Sequence, residues 1–411
     1  MTLPARRATM AGDDSPRPLT RTAVAGCCAG FVVVGAVQAL YGPAIPAIRA
    51  RFGVTPPVAG LGLSAQFAGA LVGVVVFHLL RSRFSDRVLL GASYVLMAAG
   101  AILFAISPSW PAALGASLLT GVGAGGIDYG LNRLFAVSFG RRSAAMLNLL
   151  NAYFGVGAVA GPALVGWVGA NHYPWLFGAI AAASVAVIPT LGGVGRTPPP
   201  AGPEAAGPVA RARAGWIVAA FVTIYVLYVA IETGVGGWEP THLESVGYSA
   251  SVAATATSVF WLALTVGRFV AVPVSLRWPG PAIVIGCCLG MAVFLGAATV
   301  PAAAPYAYAG LGLACAPIWP TGLPWLARAA PTVAAASAYV MAASMVGGIA
   351  FPPLLGRAIE VAGVRSVPLV LGGLAVICAV LSLWLRRATG SGHDRDRTGP
   401  AAEQAVPERT E

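Results

Sequence analysis

Twelve apolar runs of helical length follow one another along this chain, most of them separated by only a few residues. They fall at roughly 22–48, 57–80, 88–107, 111–138, 143–169, 173–193, 214–240, 250–275, 281–299, 304–328, 331–356 and 366–386. A bilayer core about 30 Å thick is crossed by a helix of about 20 apolar residues. Inside hydrocarbon each backbone N–H and C=O must find its partner within the segment, so runs of this kind fold as helices. Only 9% of the 411 residues are charged, against about 25% in soluble chains, and so little charge means a surface that faces lipid. The fold class expected is an all-α polytopic membrane protein with about 12 transmembrane helices.

One connection breaks the rhythm. Residues 194–213 are rich in Pro and Gly and carry Arg196, Arg211 and Arg213. Such a stretch cannot build a core and reads as an extended linker. It divides the chain into an N-terminal tail (1–21), a six-helix half (22–193), the linker, a second six-helix half (214–387) and a polar C-terminal tail (388–411) expected to be disordered. The two halves repeat. At an offset of 194 residues Pro46 meets Pro240, Gly73 meets Gly267, Arg83 meets Arg277 and Gln38 meets Glu232. At an offset of 189, Gly121 and Gly123 meet Gly310 and Gly312. Two pseudo-symmetric halves place a central site between them, near the bilayer midplane.

The net charge is +11 and all 25 basic residues are Arg. They sit singly or in pairs between apolar runs rather than on a polar domain, which excludes a nucleic-acid partner and follows the positive-inside rule. With the N-terminus in the cytoplasm, 19 arginines fall inside and only Arg49, Arg51, Arg357 and Arg365 fall outside. Both termini are therefore expected in the cytoplasm, in the cell inner membrane. The first run is too long for a signal-peptide core and is read as a retained span. The six cysteines lie inside apolar runs without metal-ligand spacing, and read as small apolar filler. No phosphate-binding loop, nucleophile elbow or metal motif is present, so neither an enzyme nor a cofactor is expected.

Charge inside a membrane span is costly and marks function by default. Asp128 and Glu232 are the acids deep within spans; Glu239 and Glu244 are read at the outer end of the seventh span and its loop. Gly121, Gly125, Asp128 and Asn132 share a helical face, where the glycines admit a neighbouring helix and the polar groups point one way. Glu232 shares a face with Tyr225, Tyr228 and Gly236. Five of the seven Asn and Gln residues lie in spans of the first half: Gln38, Gln66, Asn132, Asn148 and Asn151. Amides donate and accept hydrogen bonds at once, which suits hydroxyl-bearing ligands. The second half offers Trp238, Trp261, Trp319 and Trp325, whose faces can pack on sugar rings or flat organic molecules. Candidate substrate-binding residues are Gln38, Asn132, Asn148, Asn151, Glu232, Trp238, Trp261 and Trp319. Candidate ion-coupling residues are Asp128 and Glu232. Pro317, Pro320 and Pro324 in the tenth span and Pro352 and Pro353 in the eleventh suit helices that bend.

Two six-span halves with a polar central loop resemble the major facilitator superfamily, over the whole chain apart from its tails. The loop from His78 to Arg87 resembles that superfamily's basic loop between spans 2 and 3, with Ser82 in place of the usual acid. A narrower resemblance is to its fucose–proton and glucose symporter-like branch. It is carried by Asp128 four residues before Asn132, by Leu147, Asn148, Asn151, Gly157 and Ala158 in the fifth span, and by the seventh-span string from Tyr228 to Trp238. The fucose symporters carry a first-span acid where Gly42 stands here. The resemblance implies a secondary active transporter of a small polar solute, a sugar first, working by alternating access on an ion gradient, with a proton as the leading ion. The alternative is a proton-antiport exporter of drugs or secreted metabolites. The expected partners are a small-molecule substrate, a coupling ion and the bilayer, and the chain is expected to be a monomer.

Overall fold

The computed structural model describes residues 19–139, 142–194, 208–330 and 336–390. Within them lie α1 (Arg21–Phe52), α2 (Pro56–Leu80), α3 (Asp86–Ile106), α4 (Trp110–Ser138), α5 (Ser143–Val168) and α6 (Tyr173–Val187). The second set is α7 (Pro208–Ser245), α8 (Ala250–Arg277), α9 (Gly280–Ala297), α10 in two pieces (Ala304–Cys315 and Ile318–Ala329), α11 (Ala336–Ala362) and α12 (Val367–Gly390). Among the described residues ten helical segments are long and apolar enough to cross a membrane unaided. The other two segments are α4, whose glycines, Asp128, Asn132 and Arg133 dilute its apolar character, and α10, which breaks between Cys315 and Ile318 into pieces of 12 residues each. The expected twelve crossings are thus met.

Local chemistry sets the boundaries. Thr20 and Ser249 accept hydrogen bonds from the backbone N–H groups of Ala23 and Val252, at 3.2 and 3.4 Å, and start α1 and α8. Ser85 starts α3 in the same way. These are side-chain oxygens satisfying the orphan donors of a first turn. α1 ends at Gly53, whose φ of +64° favours glycine.

Two sequence boundaries need correction. The seventh span does not stop at Pro240 but runs through it to Ser245, and it begins at Pro208. The last six residues of the expected linker are therefore helical, while 195–207, like the tails at 1–18 and 391–411, lie outside the described residues. The eleventh span extends to Ala362 rather than 356, with Pro352 and Pro353 inside the helix. Pro240 does not end its helix, since neighbouring helices in a bundle re-satisfy the backbone groups a proline frees.

The halves pack alike. In the first, α1 lies on α5 and α6, α4 on α2 and α3, and α3 on α6; in the second, α7 lies on α11 and α12, α10 on α8 and α9, and α9 on α12. Between the halves α2 meets α11, α5 meets α8, and α1 meets α7. Adding six to each helix number turns one of the first two contacts into the other, as a pseudo-two-fold axis requires. The glycine stripe of α4 works as its spacing predicts. A methyl group at Gly121 would run into the carbonyl oxygen of Gln66, and one at Gly73 into that of Val122. Trp167, Trp175, Tyr306 and Trp216 stand exposed near helix ends, in the manner of the aromatic belts at membrane interfaces.

One end of the bundle is closed between the halves. Near the α1–α2 and α11–α12 turns, Gly60 lies against Pro352, Gly356 against Pro56 and Pro57, and Gly42 against the backbone of Gly236 and Gly237. Ser64 Oγ donates to the carbonyl of Ile349 across this seam at 2.6 Å. The half-buried and exposed polar residues of α4 and α5 lie toward the opposite end, where α1 begins and α12 ends.

The basic loop carries an acid after all, four residues past Ser82. Asp86, buried at the start of α3, pairs with Arg133 of α4 at 3.1 Å, the side chains being 5% and 13% exposed. The pair ties α3 to α4 within one half. Removing one charge of a buried pair costs about 3–5 kcal/mol. Asp86→Asn is expected to lower the thermal transition in detergent accordingly. Adding Arg133→Met should recover part of the loss, because a buried cation no longer faces a neutral amide.

Candidate functional site

The first half assembles a ladder of polar side chains. Asn132 Nδ2 donates both to the backbone carbonyl of Asp128 and to its carboxylate Oδ1, each at 3.0 Å. Asn151 Nδ2, from α5, donates to Asn132 Oδ1 at 3.4 Å and to Leu147 O at 2.9 Å. The i, i+4 spacing predicted from sequence therefore makes one connected acid–amide–amide chain across α4 and α5. Arg133, next to Asn132, donates to Asp86 of α3. All three members are half-buried. Asn148 is exposed, one turn nearer the end of the bundle where α1 begins and α12 ends, and Gln38 on α1 is half-buried. Gln66 is buried against α4 rather than joining the ladder.

The second half offers different chemistry. Glu232 of α7 is half-buried, within electrostatic reach of Arg268 on α8 and beside Tyr228. Tyr228 itself is sealed, and its hydroxyl makes no hydrogen bond among the described residues. The α10 break supplies an aromatic wall. Trp319 meets Tyr225 edge-on, with ring centroids 4.7 Å apart, and Tyr228 at 6.3 Å. Tyr225 Oη donates to the carbonyl of Ile318, the first residue of the second piece, at 3.2 Å. At the offset of 189, Asp128 corresponds to Pro317 and Asn132 to Thr321. The helix break thus replaces the acid of the first half.

The tryptophans divide. Trp319 is half-buried at the wall. Trp238 and Trp261 are 0% and 3% exposed, and Trp261 packs its ring on Gly236; both sit in the packed core near the closed seam. Glu239, read from sequence at the outer end of its span, is fully buried inside α7. The reason is the correction already made at Pro240. His242 Nδ1 lies 3.0 Å from Tyr308 Oη. Arg268 and Glu239 are the residues that sequence reasoning did not single out. A charge inside a span was the available signal for Arg268.

A separate recess of about 530 Å³ lies near the C-terminal end of α1, beside Arg51, Asn171 and Tyr173. Its cation is already spent. The Arg51 guanidinium donates to the carbonyls of Ala105 and Ser107 and to Tyr173 Oη at 2.9–3.0 Å, tying α1 to α3 and α6. No group of three or more His, Cys, Asp or Glu side chains fit to hold a metal occurs among the described residues.

Comparison with known proteins agrees with this architecture. A nucleoside transporter, NupG, superposes with a TM-score of 0.74 at 13% identity, over 89% of this chain and 100% of that one. A bacterial homolog of the lysosomal transporter Spinster, in an inward-facing and unoccupied conformation, gives 0.72 at 13% identity, over 92% and 99%. A D-xylose–proton symporter gives 0.69 at 12% identity, over 88% and 96%. At such identities the likeness is one of fold. By sequence, an uncharacterized MFS-type transporter of Bacillus subtilis is 29% identical over 153 residues, 36% of this chain and 29% of that protein. One of Mycobacterium tuberculosis is 33% identical over 147 residues, 36% of this chain and 21% of that protein. The matched stretch thus spans less than a third of either relative. The sequence profile of the Major Facilitator Superfamily matches residues 27–309 and again 221–409, and the chain belongs to that superfamily of membrane transporters.

Proposed function

We propose that this transporter moves a small polar solute, a sugar first, by alternating access driven by a proton gradient. The observation that carries the reading is the Asp128–Asn132–Asn151 ladder. It presents an acid and two amides on one half, with Glu232, Arg268 and Trp319 on the other. Amides suit hydroxyls because each both donates and accepts, and an aromatic face suits the apolar side of a sugar ring. In this reading Asn132, Asn148, Asn151, Gln38 and Trp319 bind solute, Glu232 orients it, and Asp128 carries the coupling proton. Trp238 and Trp261 act from behind, by fixing the α7–α8 contact. The likeness to a branch of fucose and glucose symporters supports the same substrate class, and one superposed neighbour is a D-xylose–proton symporter.

The test is purified protein in liposomes, offered a panel of radiolabelled sugars under an imposed pH gradient. Uphill uptake of one of them is the expected result. No sugar uptake, joined to drug sensitivity when the host loses the protein, would favour the second reading of a proton-antiport exporter. The aromatic wall of Tyr225, Trp319 and Tyr228 is what favours that alternative.

In this reading the protein is a monomer of the inner membrane with both termini in the cytoplasm, an orientation that the arginine bias supports. The closed seam then lies outside, and the conformation is inward-facing. Protease added to inside-out vesicles is expected to cut within 195–207. Cutting confined to right-side-out vesicles would reverse the orientation.

A further inference from the structure

The closed end of the bundle hides an acid that the ladder does not use. Glu239, in the C-terminal part of α7, is 0% exposed, and neither carboxyl oxygen has a hydrogen-bond partner among the described residues. Thr257 of α8 and Tyr308 of α10 face it. One turn further along α7, His242 is engaged with Tyr308. Arg365, in the turn before α12, bears on His242, and Glu244 lies further toward the end of α7. From the other half, α1 and α2 bring Gly42 and Leu63 against Gly236 and Gly237. α11 and α12 bring Leu355 and Leu371 against Gly234. Among the described residues no cation pairs with the Glu239 carboxyl.

The same place gathers other orphaned groups. Trp238 Nε1, Thr241 Oγ1 and Trp261 Nε1 are buried without partners. Trp261 leans on Gly236, one helical turn from Glu239, and Thr257 lies one turn from Trp261 on the same face of α8. Burying an ionised carboxylate without a cation or donors is among the most costly arrangements in a protein. Burying the neutral acid is far less so, and the orphaned N–H and hydroxyl groups nearby have little to do while it stays neutral. They would become useful if it ionised.

We infer that Glu239 is a proton-binding site of the closed end, which holds its proton while the α1–α7 seam is shut and releases it to water when the seam opens. The O–H proton passes to the entering water. The carboxylate left behind is met by that water and by the Thr257 and Tyr308 hydroxyls, which face it and turn from their present partners, Ala253 O and His242. The inference rests on the ion-coupled reading above and deepens it. Asp128 titrates from the side of the open end and Glu239 from the side of the closed end, so the two acids sit on opposite sides of the gate.

Infrared difference spectroscopy on the full-length protein in detergent tests it without any solute. The wild-type minus Glu239→Gln spectrum at neutral pH is expected to show one protonated carboxyl C=O band. Glu239→Asp, which keeps the carboxyl, is expected to keep a band at a shifted frequency. A difference spectrum showing loss of ionised carboxylate bands instead would overturn the proposal, and so would an Asp variant with no acid band. In liposomes Glu239→Gln is expected to exchange solute but to lose its response to a pH gradient; an unaltered response would overturn the coupling role. An acid band together with no accumulation of any solute by the wild type would leave the proton site standing and defeat the transport reading.

Discussion

Asp128→Asn is expected to abolish uphill accumulation while leaving counterflow exchange at equal pH close to wild type. Asparagine keeps the shape of the side chain, and its amide oxygen can accept the bond that Asn132 now gives to Asp128 Oδ1 at 3.0 Å. It cannot load or release a proton. One pH unit across the membrane supplies about 1.4 kcal/mol per coupled proton, or roughly tenfold accumulation. The variant should fall from that ratio to about one, measured as the steady-state level of labelled solute in liposomes. Glu232→Gln should act differently. Removing the charge that faces Arg268 disturbs the solute side of the cavity, so half-saturation should rise more than the accumulation ratio falls. Normal gradient-driven accumulation by a well-folded Asp128→Asn protein would remove Asp128 from coupling and leave it a structural acid.

That prediction rests on residues the sequence already singled out, and the reason they were legible is periodicity. Asp128, Asn132 and the glycines before them recur at helical spacing, so a shared face follows from 3.6 residues per turn alone. Asn151 joining them needed only that α4 and α5 be neighbours. What was not legible depends on how a helix treats proline and on what lies across from it. Pro240 reads as an end and is carried within the helix, which moves Glu239 from a loop to the core. Pro317 reads as a bend, and there α10 divides into two pieces, with Trp319 of the second piece against Tyr225. Asp86 was passed over because the basic loop was judged at Ser82, and its partner Arg133 lies 47 residues away in another helix. The order of the halves was visible as a repeat, yet the contacts of α2 with α11 and α5 with α8 are tertiary facts that no local pattern encodes.

Gly42 joins both lines of argument and supports the second large effect. It stands where the fucose symporters carry a first-span acid, and the structure gives a physical reason why no side chain stands there. A Cβ at this position would overlap the backbone carbonyl of Gly236 on α7, so the closed seam brings two helix backbones into direct contact. Gly42→Leu is expected to prevent that closure. Overpacking a close contact costs about 1–3 kcal/mol where side chains can move aside, and a backbone carbonyl cannot, which puts the cost at the upper end. About 3 kcal/mol shifts a two-state equilibrium by roughly a hundredfold. The variant should therefore fold and insert normally but populate the opposite conformation, with both net transport and exchange reduced by well over tenfold. Ser64 gives a reporter, since its Oγ is held against Ile349 across the same seam and it is only 8% exposed. A Ser64→Cys probe should be unreactive toward an impermeant maleimide in the parent protein and reactive in the Gly42→Leu background, with the six native cysteines first replaced. Labelling that stays low, together with exchange at the parent rate, would mean that α1 and α7 can close around a leucine and that the glycine contact does not seal the gate.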